Sequence, residues 1–218
     1  MSRNEQSVVR YRIDASRSRF TVQGMAEGML SIFGYNPVIA IGGFGGDVRC
    51  VSATLELASL LTLVQSDSLA VVNKVSDKDK HEMERGMRED VLEIARYPEI
   101  VFMSTRVSAS RMAEGRYQAQ VNGNLSLYVV TCDHLVNAQV TVNGNSLRAQ
   151  GEFPVRQTDY NIKPVSAVSG TLKIKDELKF SFDINANADD SEVNRLVRDP
   201  PLAFDFHLQS VRVEDGVD

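Results

Sequence analysis

Apolar and polar side chains alternate with a period of two over most of the chain, the pattern of strands that bury one face. Tyr11 and Ile13 alternate with Arg10 and Arg12, and Asp14-Ala15-Ser16 supplies a turn. Phe20 and Val22 then share a face opposite Thr21 and Gln23. A short apolar run from Pro37 to Ile41 leads into Gly42-Gly43-Phe44-Gly45-Gly46, and Leu55 and Leu57 alternate with Thr54 and Glu56. From Ile100 to Val107 the β-branched content rises again. The longest alternation sets Tyr117, Ala119, Val121, Gly123, Leu125, Leu127 and Val129 on one side. A strand of that length must bend or break, and Gly123 is the place for it. Val136 to Val142 and Leu147 to Phe153 flank Asn143-Gly144, a hairpin signal. Leu178, Phe180, Phe182 and Ile184 alternate with Lys179, Ser181 and Asp183.

One helix interrupts the strands. Ser76 followed by Asp79 resembles a capping box, and Met83, Met87 and Val91 then recur at helical spacing. Ile94 and Ala95 widen that stripe, and Pro98 stops it by pushing Tyr97 toward extended backbone. A shorter helix is expected around Glu192 to Arg198, and a last strand where Phe204, Phe206 and Leu208 alternate with Asp205 and His207. No repeat or low-complexity linker divides the 218 residues, so they are read as one domain. The expected class is mainly β: a single antiparallel domain, barrel or sandwich, of about eight strands with one inserted amphipathic α-helix. Closure removes the edge strands that an open sheet must protect, and an interior of about eight strands holds either side chains or one small ligand.

Composition narrows the function more than the fold. With 43% apolar and 24% charged residues the chain is globular, and no apolar run approaches the ~20 residues that cross a bilayer. The start, Met-Ser-Arg-Asn-Glu-Gln-Ser, shows no apolar signal region, which points to the cytoplasm. Twenty-four basic against 29 acidic side chains give a net charge of −5 without any Lys/Arg-rich run, which argues against a nucleic-acid partner. Cys50 and Cys132 form no CxxC pair, so no zinc cluster or disulfide framework is expected.

The remaining chemistry is sparse. In a strand, Cys132 and His134 would share a face, but a nucleophilic pair also needs an orienting group and an oxyanion hole. The segment moreover reads as a turn between strands, so no catalysis is expected of it. His81-Glu82 lacks a partner at metal spacing and is read as solvated surface, as is His207 on the last strand. Gly42 to Gly46 lacks both the Gly-Lys-Ser/Thr ending and a following helix, so it is no phosphate loop. Neither a metal nor a cofactor is expected.

The order of segments resembles the YceI-like family over residues 8–188. The matching pieces begin with Tyr11-Arg12-Ile13-Asp14, Ser18-Arg19-Phe20-Thr21-Val22 and Gly43-Phe44-Gly45-Gly46. Asp90-Val91-Leu92 and the run from Arg96-Tyr97-Pro98 through Ser104 follow, then Val121 to Thr131. Gln157-Thr158-Asp159-Tyr160-Asn161-Ile162 and Lys179 to Ile184 complete the set. Two features depart from the family: the first residues do not read as the export signal that many members carry, and residues 189–218 lie beyond the family core. That extension adds a strand, caps an end or mediates dimerisation.

The resemblance implies a single lipocalin-like antiparallel β-barrel of about eight strands, non-enzymatic, that stores or transports a long apolar ligand, a polyisoprenoid or a fatty acid. It implies an apolar tunnel in place of a catalytic cluster, and the inward positions expected to line it are Phe20, Val22, Leu57, Phe102, Leu125, Leu127, Phe153, Phe180 and Phe182. Leu30 and Phe33, in a Gly-flanked stretch with Met25, Met29 and Ile32, join Met83 and Met87 of the helix as an adaptable portal. Phe44 between its glycines is a candidate gate, or marks a bulge. Burying about 500 Å² of chain at about 25 cal/mol per Å² gives roughly 12 kcal/mol gross, from which ordering and association subtract much. A head group carrying a diphosphate would call for Arg or Lys at the mouth, and Arg17, Arg19 and Lys163 are equally placed in predicted turns. The alternative is a structural or interaction module whose barrel is filled by its own side chains, with the strand from Phe204 to Leu208 binding a partner or making a homodimer.

Overall fold

Strands close in chain order pair antiparallel, and the sheet they make curls until its two ends meet. The computed structural model describes residues 8–27, 36–51, 55, 57–164, 166–167 and 172–189. Six short strands open the chain: β1 (Val8–Ile13), β2 (Arg19–Glu27), β3 (Val38–Ile41), β4 (Phe44–Val51), β5 (Ser59–Gln65) and β6 (Leu69–Val71). After helix α1 (Asp77–Gly86) come four long strands, β7 (Glu99–Ala113), β8 (Arg116–Leu127), β9 (Val130–Asn143) and β10 (Ser146–Arg156). The two-residue β11 (Ser166–Ala167) and the long β12 (Leu172–Ala188) end the described residues.

The short strands act in pairs. β1 continues into β2 through a 3-10 turn at Ala15–Arg17, β3 into β4 through Gly42-Gly43, and β5 into β6 through Ser66–Ser68. Their partners confirm the pairing: β1 lies on β4 and β2 on β3, while β4 lies on β5 and β3 on β6. Three broken staves plus β7, β8, β9, β10 and β12 therefore make a closed antiparallel barrel of eight, as the resemblance implies. β12 closes it, pairing with β10 on one edge and with β2 (Asp183 opposite Arg19) and then β1 (Ala186 opposite Ile13) on the other.

The closing strand changes partner where the first stave breaks, and that junction is sewn with polar bonds. Asp14 N donates to Asn185 O at 2.8 Å. Asn185 N donates to Ser18 Oγ at 2.8 Å, and Ser18 Oγ donates to Asp14 O at 2.7 Å. Asp14 Oδ1 accepts from Ser16 N, capping the 3-10 turn. Backbone groups that a broken ladder would leave unpaired are thereby satisfied.

Gly123 does mark an irregularity, though its partner carries it. Ser104 opposes Gly123 and Arg106 opposes Asn122, so Thr105 is an extra residue in β7 and the strand bends there. The helix starts where expected, Ser76 Oγ accepting from Asp79 N at 3.1 Å. Past Gly86 it widens into a π turn over Met87–Val91, with Leu92 N donating to Met87 O. The wider turn rotates the apolar stripe, so Leu92 is the buried residue while Met87, Val91 and Ile94 pack half-buried on the core.

Two expectations are corrected, and others fall outside the described residues. Leu55 and Leu57 do not lie in a strand: Ala58 N donates to Leu55 O, with Leu55 buried and Leu57 75% exposed. The strand lies further on, in Ser59–Gln65, where a nearly continuous apolar run hides the alternation. Cys132-Asp133-His134 is no turn but part of β9; the reversal comes earlier, at Tyr128, whose φ of +59° is left-handed. The predicted portal residues Leu30 and Phe33, with Met29 and Ile32, lie outside the described residues, as do the predicted helix at 192–198 and strand at 204–208.

Two measurements test this account. Ser18→Ala leaves Asn185 N–H without its acceptor, and we expect a loss of roughly 1–2 kcal/mol, read as a lower urea midpoint with unchanged slope. Arg148 holds Asp183 through two bonds, Nε to Oδ1 at 2.8 Å and Nη2 to Oδ2 at 2.6 Å, and these hold the carboxyl below its ordinary value. A lowered folded value means that the pair stabilises above the unfolded pKa of about 3.9 and that this contribution fades as pH falls through the folded value. Asp183→Asn is therefore expected to flatten the acid limb of stability below about pH 4, measured by urea titration at stepped pH.

Candidate functional site: the barrel interior

Alternation in eight staves sends every second side chain inward, so the interior is set by which residues occupy those positions. One half of it is aromatic. Phe20 meets Phe44 and Phe180 edge-on, each at 6.1 Å between ring centroids, and Phe153 stacks on Phe180 at 5.3 Å. Phe182 closes the cluster against Phe153 at 6.5 Å. Val22, opposite Phe180 in the register, is buried beside them. Four of the predicted tunnel phenylalanines, Phe20, Phe153, Phe180 and Phe182, therefore meet in one cluster with the candidate gate Phe44. Phe44 belongs to this cluster and is buried.

The other half is hollow. Across four strands the register aligns Ala109, Ala119, Ala138 and Gly151, followed by Phe182 and Phe20 on β12 and β2. Where the rung is small, side chains do not reach the barrel axis, and a cavity of about 90 Å³ remains. Ala119, Ala138 and Ala149 line it with valines 48, 107, 121, 136 and 140; Leu55 and Leu147 lie toward the hairpin end. Phe102 and Phe182 form its boundary with the aromatic half. Both rings occupy room left by glycine: a Cβ on Gly123 would stand 2.5 Å from the Phe102 ring, and one on Gly151 would stand 2.7 Å from that of Phe182.

At the hairpin end Tyr11 donates its hydroxyl to Gly144 O at 3.2 Å. At the helix end the interior turns polar. Cys132 and His134 share the inward face of β9 with Val136, Ala138 and Val140. His134 Nε2 lies 2.7 Å from the hydroxyl of Tyr160, which is fully buried and donates to Leu125 O at 3.3 Å. Cys132 Sγ donates to Asp159 O at 3.4 Å. Burial pulls the His134 imidazole below its ordinary pKa against the opposing pull of Asp159 and Asp133, and pushes the Tyr160 phenol up. Nothing in this group provides a third orienting member with an oxyanion hole, so the arrangement holds a polar contact in an apolar barrel and does not resemble a hydrolytic site.

The helix end is covered. Tyr128, at the β8–β9 turn, donates its hydroxyl to the carboxylate of Glu93, and its ring lies 4.5 Å from that of Tyr97. Ser66 Oγ in turn donates to Tyr97 O at 3.1 Å. These bonds fasten the segment after the helix to two staves, and Met87 packs half-buried on the core beneath it. Leu125 and Leu127 are buried on β8 near this cover. Among the described residues predicted to line the interior, Leu57 alone is exposed. Of the cavity residues Phe102 and Phe182 are among the predicted lining positions, whereas Ala119, Ala138 and Ala149 lie on recognised inward faces without being singled out, because a rung of small residues becomes visible only when the strand register is known.

Among the described residues no helix is long and apolar enough to cross a membrane, and no group of His, Cys, Asp or Glu stands close enough to hold a metal ion.

Solved structures share this architecture at low sequence identity. The crystal structure of Burkholderia cenocepacia BcnA superposes with a TM-score of 0.60 at 18% identity, covering 80% of this chain and 99% of that one. A polyisoprenoid binding domain from Saccharophagus degradans, implicated in plant cell wall breakdown, gives 0.58 at 13% identity, covering 82% and 98%. The Campylobacter jejuni YCEI protein gives 0.53 at 13% identity, covering 70% and 85%. No curated protein sequence matches the chain. The sequence profile of the YceI-like domain matches residues 11–186, the span from the first stave to the closing strand, and the chain belongs to the YceI-like family.

Proposed function

We propose that the chain is a non-enzymatic carrier of a long apolar molecule, a polyisoprenoid or a fatty chain, held inside the barrel. The observation that carries this reading is the hollow half: an apolar cavity kept open by Ala119, Ala138 and Ala149, where larger side chains would pack. At about 24 cal/mol per Å³, an empty space of that size costs on the order of 2 kcal/mol, so it is an expensive feature unless something fills it. The polyisoprenoid-binding function of the Saccharophagus degradans domain agrees with the reading.

The size of the cavity imposes a condition. Sites for drug-sized ligands run to about 300–1,000 Å³, and the space here is about 90 Å³. A long chain therefore enters only if the aromatic boundary moves. Phe102 and Phe182 are the residues to move, since each rests against glycine and not against a bulky neighbour across the sheet. A barrel that never opens, filled by its own phenylalanines, is the second reading, and the same small volume favours it.

Native mass spectrometry of protein purified without detergent separates the two. A carrier retains a bound species of a few hundred daltons, or takes up hexadecanol after delipidation; a bare chain mass with no uptake overturns the proposal. Ala138→Leu fills the hollow rung. We expect it to melt at the same temperature as the parent or higher while losing hexadecanol binding at least tenfold, measured by differential scanning calorimetry and titration; undiminished binding would place the ligand elsewhere.

A further inference from the structure

Two places in this fold that commonly go to glycine carry large side chains instead, and those side chains are bonded to each other. Glu93 follows the π turn with a φ of +42°, the left-handed position that ends many helices and that glycine takes without steric cost. Tyr128 opens the two-residue β8–β9 connection with a φ of +59°, and a hairpin of that length with a left-handed first residue also favours glycine. Residues held in such backbone persist where the surrounding structure keeps them there, and they cluster at clamps and switch regions. Glycine at either place would remove one of the two groups that meet, the Tyr128 hydroxyl or the Glu93 carboxylate.

The bond ties down the middle of the cover, whose two ends are pinned separately. Before it, Glu84 Oε1 accepts from Val71 N at 3.0 Å and holds the helix to β6. After it, buried Ser66 donates its N–H to Pro98 O at 2.8 Å and its hydroxyl to Tyr97 O. Between these pins, among the described residues, the bond from Tyr128 is the only hydrogen bond that joins residues 87–94 to another element. Glu93 Oε2 also faces Arg96 Nη1 at 3.6 Å, and the Arg96 guanidinium lies over the Tyr97 ring, which returns to Tyr128. This circuit lies at the surface, with the Arg96 side chain 72% exposed, so water competes for its polar members. Beneath it Leu92 is buried, and the π turn offers that residue a second arrangement. A π turn holds one residue more than an α turn, and α bonding in its place turns Leu92 by about 100° around the helix axis, out of its buried position.

We propose that Glu93 and Tyr128 form a releasable latch, and that a long apolar chain enters the barrel at the helix end when residues 87–94 swing away. This rests on the carrier reading and adds its portal. The pins at Glu84 and Ser66 hold the two ends of the moving stretch, the π turn lets it twist, and the latch sets how often it opens. The latch touches no ligand and closes over the empty and the loaded barrel alike, so it governs the rate of exchange and leaves the affinity alone.

Hydrogen exchange followed by mass spectrometry reads the latch without any ligand. Tyr128→Phe keeps the ring and removes the hydroxyl; amides between Arg88 and Tyr97 are expected to exchange roughly threefold faster or more, with β10 and β12 unchanged. Uptake reads the portal: cis-parinaric acid, a long polyene chain that fluoresces in apolar surroundings, is mixed with delipidated protein. Tyr128→Phe is expected to raise the rates of uptake and release together, by about threefold or more, with the equilibrium affinity unchanged. Glu93→Gln, whose amide oxygen still accepts, is expected to stay near the parent rates. Glu93→Gly cuts the bond but relieves the strain, and is expected to open as fast as Tyr128→Phe while melting no lower than the parent. A lower melting temperature with parent rates would mark a merely structural bond and overturn the latch, as would unchanged exchange of residues 87–97 in Tyr128→Phe. Faster exchange with unchanged uptake overturns the portal at this end. A parent that takes up no chain removes the carrier and the portal with it, and the exchange data still decide the latch.

Discussion

β12 hydrogen-bonds to β10 along one edge and to β2 and then β1 along the other, and the interior exists because of that double pairing. Without it the staves would form an open curved sheet whose inner phenylalanines faced water. Closure satisfies the ladder groups at both edges and frees the inward positions from any polar duty. The cost falls at the junction of Asp14, Ser18 and Asn185, where the first stave breaks and the closing strand changes partner. Polar side chains there replace the ladder bonds that the break removes.

Within the closed barrel, one rung decides where matter and space lie. Ala109, Ala119, Ala138 and Gly151 stand in line and are followed by Phe182 and Phe20, so the same rung is hollow on one side and filled on the other. Phe182 crosses the gap because Gly151, directly opposite, yields the room. Phe102 does the same over Gly123, beside the extra residue of β7. The bend, the glycines and the two rings are thus one arrangement: the irregularity that curves the wall also leaves the boundary of the cavity without a bulky neighbour behind it. On the reading proposed here, that boundary is the part of the barrel that yields to a guest.

Much of the fold was legible because alternation is a local signal. β2, β8, β9, β10 and β12 follow directly from it, and Ser76 marks the helix start. β5 escaped because Leu60, Leu61, Leu63 and Val64 leave little polar contrast within one short strand. Leu57 misled for the opposite reason, since two leucines two apart imitate a strand to which neither belongs. The aromatic cluster was visible as inward phenylalanines, but their meeting was not. Ring contacts between Phe20 and Phe44, or Phe153 and Phe180, join residues far apart in sequence. The hollow rung and the His134–Tyr160 bond depend likewise on register and on the turn at Gln157–Tyr160, which periodicity does not encode.

The central claim is that the aromatic boundary opens to admit a long chain. A crystal structure of the protein loaded with hexadecanol tests it most directly. The account predicts the Phe102 and Phe182 rings displaced from their positions over Gly123 and Gly151, with the chain lying along Val136, Ala138 and Val140. Unmoved rings around an unfilled cavity, with the alcohol absent or bound on the outer surface, would contradict it.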